Sequence, residues 1–245
     1  DEAANALWYR MTQGYKWSQN KGLIALGLFK DEAEIASSPS QYDLELMPGD
    51  IKYKDINGDG MINDDDIVPI GNTKNPELVY GFGLSAQWKG FDFSVLFQGT
   101  GKTDVILEGY SVFPFSEGEY GNVLSAVADP RNRWISREIS GTPATERQDA
   151  IFPRLSYGAR ENNQKWSTWW LRDGRFLRLK NLELGYTLPQ TFTRKFKVER
   201  ARIYFLGYNL ACWAPFDWWD PEQGSVNGNV YPIQKTFTFG LNVSF

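Results

Sequence analysis

The sequence contains no histidine, which removes the commonest general base and the commonest imidazole metal ligand. It contains one cysteine, Cys212, so an internal disulfide framework is excluded. Lys and Arg total 26 against 30 Asp and Glu, a formal net charge of -4, and no overall electrostatic footprint for nucleic acid results. Mean hydropathy is -0.45. No apolar run approaches the roughly 20 residues that a transmembrane helix needs. That absence leaves one membrane architecture open, because a barrel strand is apolar only at every second residue. No signal-peptide pattern opens the chain at Asp1.

Aromatic side chains, by contrast, are plentiful: 10 Trp, 12 Tyr and 16 Phe, or 16% of the chain. Such content suits membrane-interface belts or sugar-stacking surfaces. Residues 235–245 place it in a pattern. Phe237, Phe239, Leu241, Val243 and Phe245 alternate with Thr236, Thr238, Gly240, Asn242 and Ser244. A strand sends successive side chains to opposite faces, so one face is apolar and the other small and polar. The apolar face meets either a protein core or, in an outer-membrane barrel, lipid.

The alternation recurs upstream. Tyr80, Phe82, Leu84, Ala86 and Trp88 share a face, Lys89-Gly90 reads as a tight turn, and Phe91, Phe93, Val95 and Phe97 return. Leu182, Leu184, Tyr186 and Leu188 share a face of a third strand, which Arg178 and Lys180 either extend toward headgroups or leave at a bulge. Residues 201–211 are apolar on both faces, and the even positions Tyr204, Leu206, Tyr208 and Leu210 read as the more lipid-like. Residues 23–29 read as the end of a strand or the start of a loop, and residues 31–36 as a short helical turn broken at 37–40. The connections alternate in length: long at 30–77, short at 89–90, long at 100–173, medium and basic at 189–199, long at 212–234. Short turns on one side and long loops on the other are a barrel's signature.

One loop carries ion chemistry. Counting from Asp55, oxygen side chains fall at positions 1, 3, 5, 9 and 12 (Asp55, Asn57, Asp59, Asn63, Asp66), Gly60 stands at 6, Met61 offers its carbonyl at 7, and Ile62 is the apolar anchor at 8. This is the ligand spacing of an EF-hand calcium loop, and hard oxygen donors on a flexible turn suit Ca²⁺ better than Mg²⁺. Extended flanks make the expected role structural. The alternative is an acidic turn held by Asx hydrogen bonds alone. Trp166, Trp169 and Trp170, and Trp213, Trp218 and Trp219 in the 212–234 loop, are candidate ligand or partner contacts, or simply pack their loops. Acid pairs such as Asp217 and Asp220, or Glu117 and Glu119, read as solvated loop surface rather than catalysts.

Five stretches together resemble the SusC/RagA family of TonB-dependent outer-membrane transporters. They are residues 27–35 (GLFKDEAEI), 49–60 (GDIKYKDINGDG), 171–189 (LRDGRFLRLKNLELGYTLP), 208–210 with 220–222 (YNL and DPE), and terminal Phe245. The resemblance runs from about residue 20 to the end. It implies an all-β fold, the C-terminal section of a transmembrane antiparallel barrel of roughly 22 strands, of which this chain supplies about six, with long extracellular loops. The plug and the segment that meets the TonB complex are then expected elsewhere in a longer protein. The resemblance also implies a multi-pass protein of the bacterial outer membrane, a SusD-like surface lipoprotein as partner, oligosaccharides or peptides as imported ligands, and no enzymatic activity. A soluble calcium-dependent carbohydrate-binding β module is the competing expectation. It accounts for the aromatics and the ion loop but not for the alternation of loop lengths.

Overall fold

The computed structural model describes residues 7–11, 13–116, 123–158 and 161–245, so Glu117 and Glu119 lie outside the described residues. The chain divides into two compact units: residues 1–74, 104–172 and 225–229 form one, and 75–103, 173–224 and 230–245 the other.

The second unit is a five-stranded antiparallel meander in chain order: β1 (Leu78–Trp88), β2 (Phe91–Gly101), β3 (Phe176–Thr187), β4 (Arg200–Trp213) and β5 (Thr236–Ser244). The β1–β2 hairpin turns at Lys89 and Gly90, both at positive φ (47° and 89°), the conformation that a two-residue turn requires to match strand twist. Register aligns the apolar rows. Phe82 faces Phe97, Leu84 faces Val95, Leu184 faces Phe93, Tyr186 faces Phe91, and Phe205 faces both Leu184 and Phe239. Rings meet along this face, with Phe82–Phe97 and Phe205–Phe239 centroids both 5.1 Å apart. The face is open: Phe239 is 80% exposed and Trp88 68%.

One expectation is corrected here, and one open choice is decided. The even positions of β4 do not lie on the apolar face. Ala201, Ile203, Phe205 and Gly207 do, opposite Val243, Leu241, Phe239 and Phe237, while Tyr204, Leu206 and Tyr208 point to the polar side. A strand apolar on both faces holds no alternation to read, and pairing with its neighbours decides the face. For Arg178 the bulge, the second of the two alternatives, is what the strand adopts. A bulge between Leu179 and Asn181 leaves Lys180 unpaired in both ladders, and across it the parity inverts. On β4 the same irregularity is taken up at Asn209, whose φ is 54°. Arg178 therefore turns to the polar side and is buried.

The Gly240–Tyr204 pair shows how tightly that polar side is packed. A Cβ at Gly240 would overlap the Tyr204 ring. Gly240→Val is expected to cost about 1–3 kcal/mol of stability, as overpacking does. Denaturant titration of the single variant against Gly240→Val with Tyr204→Ser checks this, because the second change vacates the space.

The first unit gives the long connections a packed interior. Among the described residues no sixth long strand precedes β1; Lys21–Gly22 pairs with Val68–Pro69 and Ala25–Leu28 with Ile51–Tyr53. The helical turn appears as α1 (Glu32–Ala36), with the Asp31 carboxylate accepting from the Glu34 N–H. Residues from the 23–29 stretch and from the 30–77 and 100–173 connections share a core of Leu23, Leu28, Phe29, Ile51, Tyr53, Ile62, Leu107, Val112, Phe152 and Trp170.

A buried polar network ties the same segments. The Asp50 carboxylate accepts from Arg154 Nε and Asn163 Nδ2, both at 2.8 Å. Asn163 Oδ1 accepts the Ile51 N–H at 2.9 Å, and Gln41 bridges Tyr53 N–H (2.7 Å) and Asn162 Oδ1 (2.7 Å). The Asp50–Arg154 and Asp50–Asn163 bonds span 104 and 113 residues of sequence, so they act as crosslinks of the folded unit rather than as turn chemistry.

Candidate functional site

The loop 55–66 is an Asx-rich turn on the surface of the first unit. Asp55 Oδ1 and Oδ2 accept the Gly58 and Gly60 N–H groups at 2.6 and 2.9 Å. Asn57 Oδ1 accepts from Asp59 N–H at 3.0 Å, and Asp59 Oδ1 from Met61 N–H at 2.8 Å. Asn63 and Asp66 form a capping box on the short 3-10 turn Asp64–Asp66. Asp66 is fully buried, its two oxygens accepting the Ile56 and Asn63 N–H groups at 2.7 and 3.0 Å.

Neighbours steady the loop. Tyr42 donates to Asp64 Oδ1 at 3.0 Å; burial, then the adjacent carboxylate, hold its hydroxyl protonated well above the ordinary tyrosine range. Arg10 pairs with Asp65. Among the described residues, no group of three or more His, Cys, Asp or Glu side chains is placed to hold a metal ion. The donor set is nonetheless all oxygen, and a carboxylate oxygen that accepts one N–H keeps a second lone pair.

The sheet presents the other chemistry on its polar face. Arg202 of β4 forks onto Asp92 of β2, with Nε to Oδ1 at 3.0 Å, and also pairs with Glu183 of β3. Gly185 lies beneath this pair, where a Cβ would collide with it. Toward the opposite end of β3, Arg178 pairs with Asp220 and, at 2.9 Å, with Glu222, while Lys180 Nζ reaches Glu222 at 3.1 Å. Asp220 also caps the 3-10 turn Pro221–Gln223, accepting the Glu222 N–H at 3.0 Å. The two acids of the 220–222 stretch thus anchor their loop to the strand, so Asp220 is tied up in structure. Sequence reading missed both clusters, because their members lie on different strands. The available signal was charge on the polar parity of otherwise alternating strands.

The candidate tryptophans separate. Trp170 is 1% exposed, packed on Phe113 (5.1 Å) and Phe152 (6.2 Å), and is a core residue rather than a contact surface. Trp169 is half-buried with Nε1 donating to the Ile151 carbonyl at 3.1 Å. Trp213 lies on the apolar side of β4, opposite Leu177 and 6.5 Å from the Phe97 ring. Trp218 and Trp219 cluster with the buried Phe216, at 5.9 and 4.8 Å. Trp166 is exposed and borders a groove of about 420 Å³ with Glu108, Tyr110 and Asn227.

No protein-family model matches the chain. TonB-dependent receptor P26 of Formosa agariphila is 32% identical over 236 residues, 91% of this chain and 22% of the receptor. TonB-dependent receptor P3 of the same organism is 27% identical over 245 residues, 95% of this chain and 22% of the receptor. Among solved structures, the RagAB peptide transporter aligns with a TM-score of 0.64 at 23% identity, covering 93% of this chain and 22% of that one. The RagAB peptide importer in its "closed-closed" state aligns with a TM-score of 0.63. The chain spans about a fifth of the length of these relatives. The relatives named here are called receptors, transporters or importers, and none an enzyme.

Proposed function

This chain is homologous to one section of the TonB-dependent receptors, and from that premise we propose that it forms barrel strands of an outer-membrane active transporter. The observation that carries the reading is the meander itself: five strands with one continuous exposed apolar face and one polar, ion-paired face. No soluble protein leaves so broad an aromatic sheet face in water at small cost, since each large side chain so exposed forgoes roughly 1.5–3 kcal/mol of burial. Acyl chains cover it in this reading, and the polar face lines the lumen. The 89–90 and 189–199 connections are periplasmic, and the 30–77, 100–173 and 212–234 connections lie outside. There they meet a SusD-like lipoprotein and an imported oligosaccharide or peptide, with Trp169, Trp218 and Trp219 as contact candidates. The plug and the contact with TonB belong to the rest of the protein.

The full-length protein is expected to fractionate with the outer membrane, to require detergent, and to change gel mobility on boiling. A protein that stays monomeric in plain buffer with unaltered mobility overturns the reading.

For the 55–66 loop the reading includes a structural Ca²⁺, with Asp55, Asn57, Asp59, the Met61 carbonyl, Asn63 and Asp66 as the residues that hold it. The support is the oxygen-only donor set at the required spacing and the preformed turn. The ion would cross-link the turn and neutralise its acids, with no catalytic part. Calorimetry on the full-length protein is expected to give Ca²⁺ binding with Kd on the order of 10⁻⁴–10⁻³ M, the range of extracellular sites. Asp59→Ala is expected to abolish the heat. Wild-type protein that gives none removes the ion.

A further inference from the structure

We propose that the connection between β3 and β4 is a binding site for the headgroup of an anionic phospholipid. The inference rests on the outer-membrane reading above and adds a ligand at its periplasmic rim.

The segment 189–199 carries Arg194, Lys195 and Lys197 against a single acid, Glu199, in a chain whose net charge is -4. Its backbone is ordered by a helical turn, Gln190–Thr193, followed by the 3-10 turn Arg194–Phe196. Lys197, at φ 57°, ends the turn, and the buried Thr193 anchors it. Phe192 and Phe196, four residues apart, fall on one side of this turn. Their rings lie 5.5 Å from each other, yet they are 51% and 65% exposed. Two large apolar rings held together in the open beside three exposed cations have the composition of an interfacial anchor: rings for the acyl boundary, cations for phosphate.

Position within the sheet selects the partner. The Thr187 N–H donates to the Gly90 carbonyl at 2.7 Å and the Glu199 N–H to the Ser244 carbonyl at 2.8 Å, so this connection, the 89–90 turn and the chain end share one end of the sheet. At that end the apolar face finishes in an aromatic row of Trp88, Phe91 and Tyr186, with Phe91 and Tyr186 rings 4.4 Å apart. Lys89 Nζ sits 4.8 Å from the Trp88 centroid and adds a cation to the rim. A bilayer whose acyl chains cover the apolar face places its phosphates level with this row and these side chains. Charge complementarity then favours an anionic over a zwitterionic lipid, by a factor that grows with each Lys or Arg near the surface.

Native mass spectrometry of full-length protein released from nanodiscs of mixed phosphatidylglycerol and phosphatidylcholine tests the site. Wild-type protein is expected to retain phosphatidylglycerol preferentially, and the triple variant Arg194→Glu, Lys195→Glu, Lys197→Glu to lose that preference by on the order of tenfold to a hundredfold. Phe192→Ala with Phe196→Ala is expected to lower retention of both lipids. Millimolar inorganic phosphate is expected to leave the bound phosphatidylglycerol in place; displacement would identify a phosphate site rather than a lipid site and overturn the proposal. So would a triple variant that keeps its preference, or a wild type that shows none. Boiling-dependent mobility read on the same samples separates the two ideas: a variant with unchanged mobility and no preference leaves the barrel standing and supports the site. Protein that never enters the nanodisc sinks both.

Discussion

Replacing Arg178 with alanine is expected to cost about 3–5 kcal/mol, the penalty for removing one member of a buried ion pair and leaving its partners uncompensated. The side chain is 3% exposed, and those of its partners Asp220 and Glu222 are 18% and 26% exposed. Losing the guanidinium strands the Asp220 carboxylate beside a strand, and Lys180 can compensate only Glu222. The damage concentrates in the 214–224 segment, which the two acids hold to β3. Limited proteolysis of the full-length protein should therefore show new cleavage there before global unfolding, and denaturant titration should report the magnitude. Adding Asp220→Asn to the alanine variant is expected to restore part of the loss, because it removes the orphaned charge. A single variant within about 1 kcal/mol of wild type would mean that the cluster is no better than a surface pair.

Phe239→Arg is expected to destabilise the protein in lipid vesicles by about 2–4 kcal/mol, with Thr238→Arg well below that. The two residues are sequence neighbours on opposite faces of β5. Phe239 lies opposite Phe205 on the apolar side and Thr238 opposite Leu206 on the polar side. Burying a cation among acyl chains is costly, whereas a wet lumen hydrates it. Equal costs at both positions, measured by denaturant titration in vesicles, would remove the distinction between the faces on which the membrane reading depends.

Strand positions and faces were legible where alternation was clean. The hairpin of residues 78–88 and 91–99, its two-residue turn and the outward Phe and Leu of the final strand follow from the period of two, and the second strand runs on to Gly101. Alternation failed where both parities are apolar, as at Tyr204 and Phe205. Around Lys180 it left two readings, and the bulge there decides between them by exchanging the faces of Arg178 and its neighbours. Loop 55–66 was legible as a turn with a set donor order, since the bonds that shape it, from Asp55, Asn57 and Asp59 to N–H groups a few residues on, are local. The compact unit built from two distant connections was not.

Local order therefore came from the sequence alone: which segments extend, where they turn, which residues could serve an ion. Only the tertiary structure decided which face of β4 is apolar, that Arg178 answers to Asp220, and that Asp50 is matched by Arg154. These are pairings between residues 42 and 104 positions apart. The physical reason is range. A side chain's alternation is set by its own backbone, whereas its partner across a sheet or a core is set by register and loop closure, which no short stretch of chain contains.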